Sequence, residues 1–96
     1  MDRPFEVRAK CPACEAVFPV EVKSGITLRA STAKIARQMI SGLERRSAFT
    51  YVFDKALGDE GKGDIPDDLI CPNCHAVHQR TRLEYRVYEA ANDTTE

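Results

Sequence analysis

Two short stretches decide the fold of this chain, CPACEAVF (11–18) and CPNCHAVH (71–78). They share the pattern C-P-x-C-x-A-V and contain all four cysteines of the sequence. A CxxC turn places two thiolates about one tetrahedral edge apart, and the proline at its second position presets the turn by fixing φ at about −65°. Two such turns facing each other would surround one ion. The sequence therefore predicts a metal site whose ligands are Cys11, Cys14, Cys71 and Cys74.

The ligand set predicts a structural ion, one Zn²⁺ per chain, because four cysteines leave no open position for a reacting water. Iron is also compatible with four thiolates, and the sequence does not separate the two metals. His75 and His78 are expected to be bystanders, although a site of three cysteines and one histidine stays open. Glu15 and His75 follow the second cysteine of each turn, where positive φ favours glycine, so the local turn geometry is also open.

The spacing of the two motifs is unusual, since 56 residues separate Cys14 from Cys71, whereas common zinc ribbons have about 15–20. A loop about three times longer costs only about 1 kcal/mol more in closure entropy. Metal binding by small zinc peptides contributes about 10–16 kcal/mol. A folded insertion between the two halves of the site is therefore tolerable.

A redox pair is the competing interpretation of each CxxC motif. Thioredoxin-type motifs follow a strand and begin a helix, whereas here each motif leads into an alternating, strand-like stretch. Because the two copies have matched flanks, a single metal site is favoured over two redox centres.

Alternation around the motifs indicates strands. Apolar residues alternate with polar ones in 4–10, 18–23 and 81–89, which predicts a hairpin around the first motif and a strand after the second. Between them, helical spacing predicts a helix over 31–46 with Ser31 as its N-cap. The fold class is therefore α+β, a zinc-ribbon-like antiparallel sheet with two CPxC knuckles and an inserted helical segment.

The end of that insertion is ambiguous. Residues 47–57 fit a second helix, which we expect, but FTYVF (49–53) is rich in strand-forming residues. The helical insertion is thus placed at 31–57, with one or two helices over about 32–57. An acidic loop follows at 58–68. A single domain spans 1–90, and a frayed tail is expected at 91–96.

Composition restricts the class of protein. The chain has 96 residues, 43% of them hydrophobic and 30% charged, with a net charge of −1. Because the net charge is −1, no global attraction to nucleic acid is expected, although the charge is uneven: residues 1–53 carry +4 and residues 54–96 carry −5. No apolar run reaches the roughly 20 residues of a membrane span, and the first residues do not resemble a signal peptide. A cytoplasmic protein is expected.

Three stretches resemble the CpXC domains of bacteria and archaea: CPACEAVFPVEVKSGITL (11–28), KIARQMISGLERRSAFTY (34–51) and ICPNCHAV (70–77). The resemblance covers about residues 7–88. It departs from the family at the two positions that follow the knuckles and at the acidic loop. It implies a zinc-ribbon-like domain of bacterial type with no established activity, and zinc ribbons mainly bind proteins or nucleic acids.

No catalytic constellation is present, so the sequence predicts a binding module and not an enzyme, with no small-molecule substrate and no membrane. A regulator or adaptor that binds a protein, or itself, is favoured. Phe49, Tyr51 and Phe53 are the candidate interface, although for Phe49 and Phe53 a core position is favoured.

The alternative is a nucleic-acid-binding ribbon. A two-residue period places Arg80, Arg82 and Arg86 on one face of the last strand, beside Arg8 and Lys10 of the first hairpin. Such a basic stripe would contact phosphates, and Tyr88 could stack on a base. Interleaved Glu6 and Glu84 would weaken it.

Overall fold

The computed structural model describes residues 5–54 and 59–89. Its elements, in chain order, are β1 (Phe5–Lys10), β2 (Val17–Pro19), β3 (Arg29–Ala30), α1 (Ala33–Glu44), β4 (Phe49–Asp54), β5 (Asp59–Asp64), β6 (Asp68–Ile70), β7 (Val77–Gln79), a short 3₁₀ turn (Arg80–Arg82) and β8 (Glu84–Glu89). This set of antiparallel sheets with one helix confirms the predicted α+β class. The tail at 91–96 lies outside the described residues.

Strand β1 lies at the centre of the main sheet. One edge of β1 pairs with β8 along its whole length, while the other pairs with β2 near the first knuckle and with β3 at the far end. Val7 and Ala9 point into the core, as their alternation predicts. All pairings are antiparallel, and the β1–β8 pair brings residues 5–10 beside residues 84–89.

Helix α1 covers the inner face of this sheet, where it contacts β1 and β8. Ala36, Met39 and Leu43 are its buried residues, and their spacing of three and four places them on one face. The predicted N-cap, Ser31, is wrong by one residue. Thr32 is the cap, because its hydroxyl accepts a hydrogen bond from the Ile35 amide at 3.2 Å.

The predicted second helix over 47–57 is wrong for residues 49–54, which form β4. Phe49 and Tyr51 are exposed while Thr50 and Val52 are buried, so a period of two prevails over the weaker helical spacing. The predicted acidic loop supplies its partner, since 59–64 form β5 and pair with β4 in register. Residues 55–58 lie outside the described part of the chain.

The last predicted strand begins later than expected. Residues 80–82 form the 3₁₀ turn, and β8 starts at Glu84. Leu83 and Tyr85 are buried, as the pattern predicts, and Val87 is half-buried. The turn redirects the chain from the second knuckle back to β1.

Side chains from the strands, the loops and α1 contribute to one hydrophobic core. It contains Val7, Leu28, Met39 and Leu43 together with two of the cysteines, Cys11 and Cys71. The candidate site is therefore continuous with the core. Within the described residues, no helix has the length and apolar character needed to cross a membrane.

Candidate metal centre

The two knuckles have the same backbone hydrogen bonds. In the first, the Cys11 amide donates to the Ala16 carbonyl at 2.8 Å and the Glu15 amide donates to the Cys11 carbonyl at 2.8 Å. In the second, the corresponding Cys71–Ala76 and His75–Cys71 bonds measure 3.0 and 2.9 Å. The repeated sequence thus forms a repeated structure, a tight turn closed by a short hairpin.

Glu15 and His75 complete these turns at positive φ, each at 65°. Glycine is the usual residue there because it has no Cβ penalty in the left-handed region. The sequence left this geometry open, and the structure shows that the turn forms without glycine in both copies. The hydrogen bonds on either side hold the strained residue in place.

The four sulfur atoms converge on one point. Their Sγ atoms all lie within 4.8 Å of one another. Across the two knuckles, Cys11 Sγ is 3.7 Å from Cys74 Sγ and Cys14 Sγ is 3.6 Å from Cys71 Sγ. A tetrahedron with metal–sulfur bonds of about 2.3 Å has edges of about 3.8 Å, so the cage fits one ion of this size.

Burial divides the four cysteines into an inner and an outer pair. Cys11 and Cys71 have no exposed surface, whereas Cys14 is partly exposed and Cys74 is exposed. The first cysteine of each knuckle directly follows a strand, and the second lies in the turn. One side of the cage therefore faces the core and the other faces solvent.

Two of the thiols have shifted pKa values. A hydrogen bond from the Asn73 side chain, with help from the Ala16 amide, lowers the pKa of Cys14 to about 6. The Ala76 amide favours the Cys74 thiolate, but lost hydration and the three neighbouring cysteines outweigh it and raise the pKa of Cys74 to about 11. The surroundings thus favour the thiolate of Cys14 and the thiol of Cys74, and binding of a cation by these cysteines would release protons.

Two side chains of the second knuckle also reach the sulfurs. His78 Nε2 is 3.3 Å from Cys11 Sγ, and Asn73 Nδ2 is 3.4 Å from Cys14 Sγ. His75 is exposed at the surface of its turn. From the sequence, both histidines were expected to be bystanders and Asn73 was overlooked, since its only sequence signal is that the repeat has alanine at the matching position.

The predicted basic stripe is not continuous. Arg80 is buried, and its guanidinium donates to the Ser47 carbonyl, so its placement on an exposed strand face was wrong. The cause is the 3₁₀ turn at residues 80–82, which breaks the two-residue period. Arg82 is exposed.

The remaining basic residues lie together on the outer face of β1 and β8, mixed with acidic ones. Arg8 is opposite Arg86 and Lys10 is opposite Glu84 in the strand register. Arg86 binds Glu84 at 2.9 Å, while Arg8 binds Glu6 and stacks over the Tyr88 ring. Carboxylates thus already occupy two of the arginines that were expected to contact phosphates.

The aromatic residues of β4 are more exposed than a core position allows. Phe49 is 55% exposed and Tyr51 is 52% exposed, on the same face of the strand. Lys62, on β5, lies opposite Tyr51. The core alternative for Phe49 was therefore wrong, and the side chain of Phe53 lies outside the described residues.

The fold and the cage together define a small four-cysteine metal-binding module. Over 47 aligned residues the chain is 43% identical to Rubredoxin-2 of Ectopseudomonas oleovorans, an alignment that covers 41% of this chain and 25% of that protein. The aligned part thus spans only about a quarter of that curated relative. No family model and no solved structure matches the chain. The likeness and the cysteine cage support a module of zinc-ribbon or rubredoxin-like type, while the CpXC resemblance stays a prediction.

Proposed function

We propose that this chain is a binding module stabilised by one structural zinc ion and that it acts by binding protein. The observation that carries the first half is the convergence of four Sγ atoms at tetrahedral distances. The proposal assigns the module no catalytic activity, because four protein ligands leave no position for a substrate. It also places the chain in the cytoplasm, where thiols stay reduced. Membership of the CpXC domains would agree with the zinc half but is not needed for either half.

Metal analysis of the purified full chain tests the zinc half. We expect one zinc per chain after purification under reducing conditions, and a Cys74→Ser variant should hold clearly less than one. An absence of zinc and of any other metal, with four titratable thiols, would contradict the proposal.

Iron is the second candidate occupant, favoured by the likeness to Rubredoxin-2. Tetrahedral sulfur sites suit both zinc and iron, and an iron occupant would make the module a redox protein. The same preparation separates the two, because a zinc thiolate site is colourless in visible light, whereas a ferric thiolate site absorbs strongly. If protein from cells supplied with both metals is coloured and holds one iron per chain, the occupant of the site is iron and the zinc proposal is rejected.

The protein-binding half rests on the hairpin face, which we define as Phe49, Tyr51 and Lys62. Two large aromatic side chains about half exposed on a two-stranded sheet are costly to leave in water and typical of a contact surface. The face surrounds a shallow depression of about 200 Å³. Self-association is the simplest form of such binding and can be tested with the protein alone.

Light scattering after size exclusion, at several protein concentrations, tests this half. We expect a concentration-dependent dimer that persists at high salt and is lost in a Tyr51→Ser variant. Val77→Ser is the matched control, because Val77 is 60% exposed but lies on the second knuckle. A protein that is monomeric at all concentrations would rule out self-association. An equal loss of dimer in both variants would rule out a specific role of the hairpin face.

A further inference from the structure

The two knuckles share their backbone but differ in three side chains. Between CPACEAVF and CPNCHAVH the differences are Ala13 against Asn73, Glu15 against His75, and Phe18 against His78. Since the backbone hydrogen bonds match, these positions are structurally equivalent within the repeat. These side chains are therefore one source of chemical asymmetry close to the sulfurs.

All three differences introduce a side-chain hydrogen-bond donor, and two of these donors, on Asn73 and His78, reach across the cage. Asn73 Nδ2 lies 3.4 Å from Cys14 Sγ, and His78 Nε2 lies 3.3 Å from Cys11 Sγ. The equivalent residues Ala13 and Phe18 have no side-chain donor. The second knuckle thus supplies side-chain hydrogen bonds to both cysteines of the first knuckle, and the first supplies none in return.

We propose that Asn73 and His78 are positioning residues of the metal site, which hold and partly neutralise the thiolates of Cys14 and Cys11. This inference rests on the proposed metal occupancy. A metal-bound thiolate can only accept a hydrogen bond, so the imidazole must carry its proton on Nε2. Asn73 donates through its side-chain NH₂ group.

Burial explains why His78 is needed. Cys11 has no exposed surface, so water cannot solvate its charge, and a buried charged group requires a partner within the protein. Cys71 is equally buried and accepts a hydrogen bond from the Asn73 amide at 3.4 Å. Cys74 is exposed and can be solvated by water. Each sulfur that faces the core therefore has an internal donor.

The charge of the site gives the same conclusion. Four thiolates around one divalent ion carry a net charge of about −2. Hydrogen bonds to the sulfurs disperse this charge and reduce electron donation to the metal, and such outer contacts orient the ligands. Both side-chain donors are aimed at the first knuckle, so they reduce electron donation by Cys11 and Cys14 in particular.

Cobalt(II) substitution of the full chain tests the inference, because thiolate-to-cobalt charge-transfer bands report the sulfur environment. The variants are His78→Phe and Asn73→Ala, which restore the residues of the first knuckle. His75→Asn is the control, since it removes the other histidine while keeping a residue that tolerates positive φ. Far-UV circular dichroism checks that each loaded variant is folded.

We expect both variants to bind cobalt with an affinity lower by about 10–100-fold in competition with a chelator. Their charge-transfer bands should shift to lower energy, because a thiolate without its hydrogen bond is oxidised more easily. His75→Asn should leave the affinity and the bands unchanged.

Four results would overturn the inference. Unchanged bands in both variants would do so even if affinity falls, because that pattern indicates a purely structural effect. Equal shifts in His75→Asn would show that the donors are not specific. If a Cys11→Ser variant still loads fully with cobalt, and the double variant with His78→Phe does not, His78 can serve as a metal ligand. A wild-type chain that binds no metal would reject the proposed function, a result distinct from the other three.

Discussion

At the scale of single residues, the turns of the cage require an unfavourable backbone conformation at Glu15 and His75. Both have a φ of 65°, a conformation that costs a non-glycine residue roughly 1 kcal/mol or more. The turn hydrogen bonds and the ion that the turns are proposed to share offset this cost. A separate local contact lies inside the core, where the Tyr85 hydroxyl donates a hydrogen bond to the Arg80 carbonyl.

Because Tyr85 is buried, the free energy of unfolding should depend on pH in the alkaline range. Burial raises its pKa well above the ordinary value of about 10, so the folded state keeps the proton longer than the unfolded state. Its contribution to stability is therefore complete below about pH 10 and decreases as the pH rises further. Urea unfolding at pH 8 and pH 10.5 should show a smaller pH-dependent loss in Tyr85→Phe than in the wild type. Tyr51→Phe, at an exposed site, should keep the wild-type loss, and a loss of equal size in all three proteins would contradict the prediction.

At the scale of elements, the hairpin of β4 and β5 shows how pairing overrides local pattern. DEGKGD (59–64) is acidic and glycine-rich and has weak strand propensity, yet it pairs with β4 over six residues. Its glycines are not equivalent. Gly63 is buried against Val22 and Val52, whereas a side chain at Gly61 would meet nothing within 4 Å.

This difference predicts that alanine substitutions at the two glycines have different effects on the free energy of unfolding. A Cβ at Gly63 would lie 2.8 Å from Val52 Cγ1 and 3.0 Å from Val22 Cγ1, both parts of the packed core. We expect Gly63→Ala to lower the free energy of unfolding by about 1–3 kcal/mol, and Gly61→Ala to leave it unchanged or raise it slightly. Chemical denaturation of the metal-loaded proteins measures both. Equal effects would mean that Gly63 is not in close contact with these valines.

The start of α1 provides a second matched pair at this scale. The Thr32 hydroxyl accepts from the Ile35 amide, while the neighbouring Ser31 is outside the helix. Thr32→Ala should therefore lower the free energy of unfolding by about 1 kcal/mol, and Ser31→Ala should change it much less. The same denaturation experiment decides between them, and a larger loss in Ser31→Ala would reinstate the cap predicted from the sequence.

At the scale of the whole molecule, the cysteine cage connects two sheets that do not pair with each other. The first knuckle joins β1 to β2 in the main sheet, and the second joins β6 to β7 in a separate one. Cys11 and Cys71 belong to the same core cluster. An ion in the cage would thus hold together segments that are distant in sequence, in a chain too small for a large core.

This arrangement predicts that removing the metal destabilises the whole molecule. A strong chelator should lower the melting temperature and broaden or abolish the thermal transition followed by circular dichroism. Added zinc should restore it with a midpoint that rises with free zinc concentration, whereas magnesium should not. A melting curve that is identical with and without chelator would show that the cage carries no ion of structural importance.

Local pattern alone was enough for several features of this protein. The pairing of the four cysteines into two knuckle turns, the strand before the first knuckle and the helix that covers the sheet depend on spacing, turn residues and periodicity within short windows. Those signals are physical properties of neighbouring residues, so they can be recognised before the chain is folded.

Contacts between distant residues decided the remaining features. Strand β4 exists because β5 pairs with it, and Arg80 is buried because the 3₁₀ turn directs it toward Ser47. Asn73 and His78 meet the sulfurs of Cys14 and Cys11, about sixty residues earlier in the chain, only when the knuckles face each other. No short window of sequence contains both partners of such a contact, and for that reason these features appear only in the folded structure.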